Sequence, residues 1–183
     1  MRNTFYLAVC YIQILIYNFK LFFIKNKKLP LNKTNNNRVY KLGCKEDLNE
    51  ILNIYKKSFS DSHESETAEL IMYLSKKPEL TYVIRINKKI AGYAIFRDST
   101  KLWLYSISIK DEFRGKGLAK ELIQFSIKDI LSEKKHKAIY LLVDRENNAR
   151  FLYQNLAFNN MFYFSGKTKI LMRKTIKTNE NDM

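Results

Sequence analysis

The chain has little of what builds small cross-linked or metal-held folds. Its 183 residues include two cysteines, Cys10 and Cys44, and two histidines, His63 and His136. Two thiols cannot form a disulfide framework or a Cys-rich zinc module. Two histidines so far apart do not make a multi-His site, so no metal is expected. Glycine and proline are scarce as well, at five and two residues. Acid is missing from the first 45 residues, which carry nine Lys and Arg side chains. The remainder holds 24 basic against 18 acidic groups, so the formal charge of +15 is largely an N-terminal property. Such an excess can attract phosphate, but no basic–aromatic groove pattern accompanies it, and no nucleic-acid partner is expected. What is present is apolar: 46% of all residues are hydrophobic and 14% of all residues are aromatic. That composition excludes a disordered chain, and the length suits one domain with a core of its own.

Residues 5–24 read FYLAVCYIQILIYNFKLFFI, apolar except for Gln13, Asn18 and Lys20. As a helix the run would be about 30 Å long, the thickness of a bilayer core. Arg2 precedes it, and Lys25, Lys27 and Lys28 follow, which places the rest of the chain in the cytoplasm, tethered to the inner face of the membrane. Three readings stand: a membrane anchor, an apolar helix docked on a protein surface, or a start codon placed too far upstream. Residues 25–37 are polar and carry a proline, as a linker does. The organisation expected is therefore 1–37 as apolar segment and linker, 38–176 as the folded domain, and 177–183 as a polar tail.

Within the domain, residues 38–43 suit a strand. Residues 46–59 place Leu48, Ile51, Leu52 and Tyr55 at helical spacing. A second helix is expected around Leu70, Ile71 and Leu74, ended by Pro78. Strands are expected over 81–86, 90–97 and 102–109, with turns between them. A long helix follows over 115–134. Residues 138–143 form an unbroken apolar run, as in a strand buried on both faces. A short helix over 148–155 and strands over 158–165 and 169–174 complete the order β-α-α-β-β-β-α-β-α-β-β. This is a mixed α/β domain with a central, mostly antiparallel sheet flanked by helices, plus the extra N-terminal apolar helix.

The segment that carries chemistry is ISIKDEFRGKGLAK, residues 107–120. A strand ends, Arg114-Gly115-Lys116-Gly117 turns the chain, and an amphipathic helix begins at once. Glycine lets a backbone approach a ligand closely. The first N–H groups of a helix have no internal partners, and with the helix dipole they favour an anion. The pattern is not a P-loop, because Gly117 stands where Ser or Thr is required. It is a poor dinucleotide fingerprint, because Lys120 stands at the third glycine.

The run Arg114-Gly115-Lys116-Gly117-Leu118-Ala119 resembles motif A of the GCN5-related N-acetyltransferases, the GNAT superfamily, whose pattern is Arg/Gln-x-x-Gly-x-Gly/Ala. Downstream, DRENNARFLYQNLAF resembles the family's motif B, Asn-x-x-Ala-x-x-Leu-Tyr-x-x-x-Gly-Phe, with Ala149, Leu152, Tyr153 and Phe158 in phase. Ala157 replaces the usual glycine, and Glu146 stands at the usual asparagine, with Asn147 one residue later. The resemblance implies a GNAT-like acyl-CoA N-acyltransferase fold, acetyl-CoA as co-substrate without a metal, and a primary amine on a small molecule or peptide as acceptor. It implies that backbone groups of Ile107, Ser108 and Ile109 pair with the pantetheine arm, which enters where that strand splays from the strand at 138–143. It implies that Arg114, Gly115, Lys116, Gly117, Leu118, Ala119 and Lys120 hold the pyrophosphate, and that Asn147 contacts the arm. Tyr153 is then the catalytic acid, since a phenol is protonated at neutral pH and can serve the departing thiolate.

No general base is evident. The strands at 102–109 and 138–143 contain no carboxylate, and a water relayed through Ser106, Tyr105 or Glu146 is the remaining route. Four acids lie within nine residues of the loop after the first helix. Of these, Asp61, Glu64 and Glu66 are candidates to attract a cationic acceptor. Two other readings stay open at this level: a non-catalytic CoA-binding sensor on the same fold, and a basic nucleic-acid-binding protein.

Overall fold

The computed structural model describes residues 32–34, 37–41, 45–59, 70, 74, 80–132, 136–164 and 168–176. The elements are β1 (Asn32–Thr34), β2 (Asn37–Lys41), α1 (Lys45–Ser58), β3 (Thr81–Ile86), β4 (Lys89–Asp98), β5 (Leu102–Ile109), a 3-10 turn (Asp111–Phe113), α2 (Leu118–Leu131), β6 (Ala138–Asp144), α3 (Ala149–Asn155), β7 (Asn159–Phe164) and β8 (Lys169–Thr175). This is the mixed α/β succession expected. The described residues fall into two compact units, one within Met1–Tyr93 and Ser108–Leu118, the other within Ala94–Ile107 and Ala119–Met183. The apolar run at 5–24, the linker residues before Asn32, the acidic loop with Asp61, Glu64 and Glu66, and the tail at 177–183 lie outside the described residues. Among those described, no helix is long and apolar enough to cross a membrane.

In the first unit β1, β2 and β3 pair antiparallel in sequence order. β1 corrects the expectation of a plain linker over 25–37. Asn32 pairs with Val39 and Thr34 with Asn37, so a polar stretch closes as a hairpin. Its main-chain hydrogen bonds need no apolar pattern, which is why periodicity missed it. β2 also begins and ends slightly earlier than the expected 38–43. α1 buries Leu48, Ile51, Ile54 and Tyr55, one stripe at helical spacing. It also buries Asp47, whose carboxylate pairs with the Arg85 guanidinium of β3. A buried carboxylate is tolerated only with such a partner. Leu70 and Leu74 are helical and fully buried, in keeping with the second helix expected there. Asn87 and Lys88 both have positive φ, 49° and 68°, as a two-residue type I′ turn between β3 and β4 requires.

In the second unit the order is β5-β6-β8-β7. β6 and β8 pair antiparallel along the whole of β6, and β7 pairs antiparallel with β8 with a register shift between Asn160 and Phe162. β5 and β6 are parallel and pair at two positions only, Leu102 with Ile139 and Trp103 with Tyr140. α2 contributes Leu122, Ile123, Ile127 and Ile130 to the core, β6 contributes Ile139, Leu141 and Val143, and β8 contributes Ile170, Leu171 and Met172. The apolar run at 138–143 is not buried on both faces, as its composition suggested. Leu142 is half exposed between the buried Leu141 and Val143, so this end of β6 buries one face and opens the other. The long helix is also shorter than expected, Leu118–Leu131 in place of 115–134. Gly115 and Gly117 have φ of 74° and 76°, which a right-handed helix cannot contain.

Gly92 on β4 marks a close approach inside the first unit. A Cβ there would lie 2.6 Å from the Ser108 carbonyl oxygen and would also meet the Ile109 side chain. The Lys110 N–H donates to the Ala91 carbonyl at 2.8 Å beside it. A backbone oxygen cannot rotate away, so Gly92→Ala is expected to lower the unfolding midpoint. The cost of such overpacking is about 1–3 kcal/mol, and differential scanning calorimetry would read it as several degrees.

Candidate active site

The segment after β5 is a braced loop that opens on α2. Ser108 and Ile109 end the strand, both nearly buried, with the Ser108 and Ser58 hydroxyls 2.5 Å apart. Lys110 forms an ion pair with Glu50 of α1. The 3-10 turn closes with Phe113 N–H to the Lys110 carbonyl at 2.9 Å and Arg114 N–H to the Asp111 carbonyl at 3.1 Å. The two cations expected to meet a phosphate brace this turn. Arg114 Nε donates to the Ile109 carbonyl at 3.0 Å, and its guanidinium lies 2.9 Å from the Asp111 carboxylate. Lys116 Nζ donates to the Glu112 carbonyl at 3.1 Å and lies 5.4 Å from the Phe113 ring centre.

The glycines face the other way. Gly115 and Gly117 are exposed, and a Cβ built on either would meet nothing within 4 Å. Their positive φ is the reason for glycine, and the space beyond them is open. Leu118 then turns inward and is buried. The loop therefore presents backbone at the start of α2, where N–H groups lack intrahelical partners and the dipole favours negative charge. Ala119 is half-buried and Lys120 exposed on the first turn of that helix.

In the second unit, Ile107 is half-buried on β5 beyond the last residue paired with β6. From Leu104 onward β5 offers β6 no partner, and β6 from Leu141 onward pairs with β8 alone. The two parallel strands have thus parted, and each leaves a main-chain edge facing the gap.

Tyr153 lies on α3 and is only 7% exposed. Burial pushes its phenol up to about 12 because the phenolate loses its hydration. The group is a proton holder across the physiological range. Its backbone is fixed by the way α3 ends. The Phe158 N–H donates to the Tyr153 carbonyl and the Ala157 N–H to the Gln154 carbonyl, both at 2.9 Å. Those two bonds define a Schellman C-cap, with Tyr153 at the third position from the helix end and Phe158 just beyond the turn. The apolar contact that goes with this cap is made by the two rings, 6.0 Å apart and edge to face. The cap needs a left-handed residue at position 157, and Ala157 supplies it at φ 62°. The spacing from tyrosine to the glycine position carries this signal in the sequence.

Asn147 caps the other end. Its Oδ1 accepts from the Ala149 N–H at 2.8 Å, so its carbonyl oxygen starts α3 and its amide NH2 is the group it can present outward. Glu146 beside it is exposed, Ser106 is nearly buried and Tyr105 is partly exposed. Among the described residues no group of His, Cys, Asp and Glu could hold a metal.

The model of a family described as "Acetyltransferase (GNAT) family" matches residues 48–158. No curated protein sequence matches the chain. Solved structures share the fold. An N-acetyltransferase from Staphylococcus aureus aligns over 78% of this chain and 100% of its own at 22% identity, with a TM-score of 0.62. YncA from Salmonella typhimurium, described as an acetyltransferase with its cofactor acetyl-CoA, aligns over 80% and 97% at 18% identity, with a TM-score of 0.64. The PaiA N-acetyltransferase from Thermoplasma acidophilum, described in complex with coenzyme A, aligns over 76% and 99% at 17% identity, with a TM-score of 0.60.

The C-cap of α3 generates a stability prediction. A left-handed conformation costs an L-residue about 1–2 kcal/mol, and glycine's greater chain entropy offsets about 0.5–1 kcal/mol of that gain. Ala157→Gly is therefore expected to stabilise the protein by roughly 0.5–1 kcal/mol, read as a higher midpoint in urea with an unchanged slope.

Proposed function

We propose, for a chain that belongs to the acetyltransferase (GNAT) family, that it transfers an acetyl group from acetyl-CoA to a primary amine. The observation that carries this reading is the brief pairing of β5 with β6, Leu102–Ile139 and Trp103–Tyr140, on a strand that runs directly into the glycine loop. A strand edge without a neighbour suits an extended amide-bearing arm, and exposed glycine backbone at a helix start suits a pyrophosphate. The residues present therefore fit acetyl-CoA. Ile107, Ser108 and Ile109 would pair with the arm, and Gly115, Lys116, Gly117, Leu118, Ala119 and Lys120 would hold the phosphates. Arg114 acts at one remove by holding the loop in shape, and the amide of Asn147 remains available to the arm.

When bound, acetyl-CoA supplies an acetyl group activated as a thioester. Tyr153 holds a proton on its phenolic oxygen and donates it to the leaving sulfur. A phenol is protonated at neutral pH, as an acid must be before the step. The acceptor enters as the free amine and attacks the thioester carbonyl directly; the C–S bond breaks as sulfur takes the Tyr153 proton, and the proton lost by the new amide nitrogen restores the phenol.

Two outcomes test the reading. Acetyl-CoA at ~100 times its Kd should stabilise the full chain by about 2.7 kcal/mol, which differential scanning fluorimetry reads as a higher midpoint. Gly117→Glu, which sets a carboxylate where the anion should sit, should abolish that rise. A folded wild-type chain without a rise would overturn the proposal.

Tyr153→Phe should keep the acetyl-CoA-dependent rise and lower kcat by roughly 10²-fold, the scale of general acid catalysis. Because the phenol sits near pKa 12, wild-type kcat should show no alkaline fall from this group below about pH 11. A fall near pH 10 that vanished in Tyr153→Phe would mean that the phenol is not the buried group described.

A further inference from the structure

β8 carries a lysine in line with core residues. Side chains two apart on a strand point to one face, so Lys174 shares a face with the buried Ile170 and Met172. It also pairs in register with Ile139, which is fully buried on β6. Lys174 is accordingly half-buried, and its Nζ donates to the Leu156 carbonyl at the end of α3, at 2.6 Å. A cation suits the last carbonyls of a helix, but that bond uses one of three N–H donors. Among the described residues no carboxylate lies within ion-pair distance of this ammonium.

A cleft of about 700 Å³ is lined by Lys174 together with Ile127, Lys128 and Leu131 of α2 and Leu156 and Ala157 at the end of α3. All of these lie in the second unit. Ile127 and Leu156 are buried and Leu131 is half-buried, so the walls are largely apolar. Ile127 and Leu131 stand four apart, on one side of the helix. Lys128 adds a second cation on its exposed side. The rest of the lining is neutral, so the cleft carries two positive charges and no acid. Apolar walls around a few polar groups, at this volume, are the features of a small-molecule site. No residue assigned above to acetyl-CoA or to the proton donor lines it.

We infer that this cleft is a second ligand site, and that it takes a small apolar carboxylate. The apolar body rests on Ile127, Leu131 and Leu156. The carboxylate accepts from the two N–H groups of Lys174 that the Leu156 carbonyl leaves free, with Lys128 at the mouth. An ammonium drawn partly out of water is costly until it meets an anion, and a charge-assisted hydrogen bond there is stronger than at an open surface. A neutral ligand of the same shape covers the same apolar walls but leaves the ammonium with one carbonyl. Charge therefore decides the preference. The site goes beyond the acetyl-transfer reading and does not depend on it.

The probes are 1-naphthylacetate and 1-naphthylacetamide, which share a ring system and differ in charge. Each is measured by equilibrium dialysis against the full chain, with and without CoA. The acid should bind roughly tenfold tighter than the amide, the worth of one hydrogen bond to a charged group, and CoA should not displace it. Lys174→Met should remove the preference. Lys128→Glu, at an exposed position that any fold of the chain tolerates, should weaken the acid and spare the amide. Retention of neither probe, equal retention of both, or a preference that survives both substitutions would overturn the site. Loss of the acid on adding CoA would place it at the glycine loop and overturn the cleft as well. An absent midpoint rise with acetyl-CoA in the wild type would overturn the acetyl-transfer reading alone. The two lysines lie on different elements, so a folding defect in Lys174→Met leaves Lys128→Glu decisive.

Discussion

The structure turns on how little β5 shares with β6. A parallel pair normally gains by extending its ladder, because each unpaired main-chain group near the interior must find another partner. Here the ladder stops after Trp103 and Tyr140, although β5 runs on to Ile109 and β6 to Asp144. β6 is compensated on its far side, where β8 pairs with it from Ala138 to Asp144. β5 is directed instead toward β4 at its end, where Gly92 admits the Ser108 carbonyl and the Ala91 carbonyl takes the Lys110 N–H. A side chain at position 92 would close that approach. The gap is therefore built by pairings on the outer sides of the two strands, and the glycine loop follows directly from the end of one of them.

The loop divides labour between side chain and backbone. Arg114 and Lys116 look like phosphate ligands by charge, yet each has a short local partner on the 3-10 turn. Their exposed ion pair and ring contact add little stability in water. What they fix is the direction of the backbone, and the two left-handed glycines then open that backbone to solvent. The same economy governs α3. Asn147 starts the helix with one side-chain oxygen, and the Schellman turn ends it one residue before Phe158. Between these two fixed ends a seven-residue helix holds Tyr153 in the core. Such a helix is too short to be stable alone, so its caps and its buried ring are the reason it exists.

Much of this was legible in the residues. The strand–glycine–helix transition at 107–120 and the phase of Ala149, Leu152, Tyr153 and Phe158 depend on local rules, and local rules are written in sequence. Burial of β3, β4 and the α2 stripe follows from apolar spacing. What escaped depends on pairing at a distance. The β1–β2 hairpin is polar and held by main-chain bonds, so no periodicity announces it. The half exposure of Leu142 reflects an open face of β6, between the buried Leu141 and Val143, which an unbroken apolar run over 138–143 does not encode. The left-handed Ala157 was visible as a missing glycine, but its meaning as a C-cap needed the two hydrogen bonds. The cleft at Lys174 joins α2, α3 and β8, and that packing is a property of the fold.

The two halves of the proton balance are unequal, and this bears on the acceptor. In the proposed reaction Tyr153, kept protonated by burial, serves the leaving group. No carboxylate stands on β5 or on the first six residues of β6, so nothing on those strands takes a proton from an ammonium. The proposed reaction therefore favours an acceptor that arrives largely as the free amine. A peptide α-amino group, with a pKa near 8, is roughly a quarter free at pH 7.5. A lysine side chain, near 10.4, is free to about one part in a thousand. That difference of about two hundredfold is as large as the effect expected of many a catalytic base. A chain without a base on these strands thus gains most from an acceptor whose own chemistry supplies the free amine.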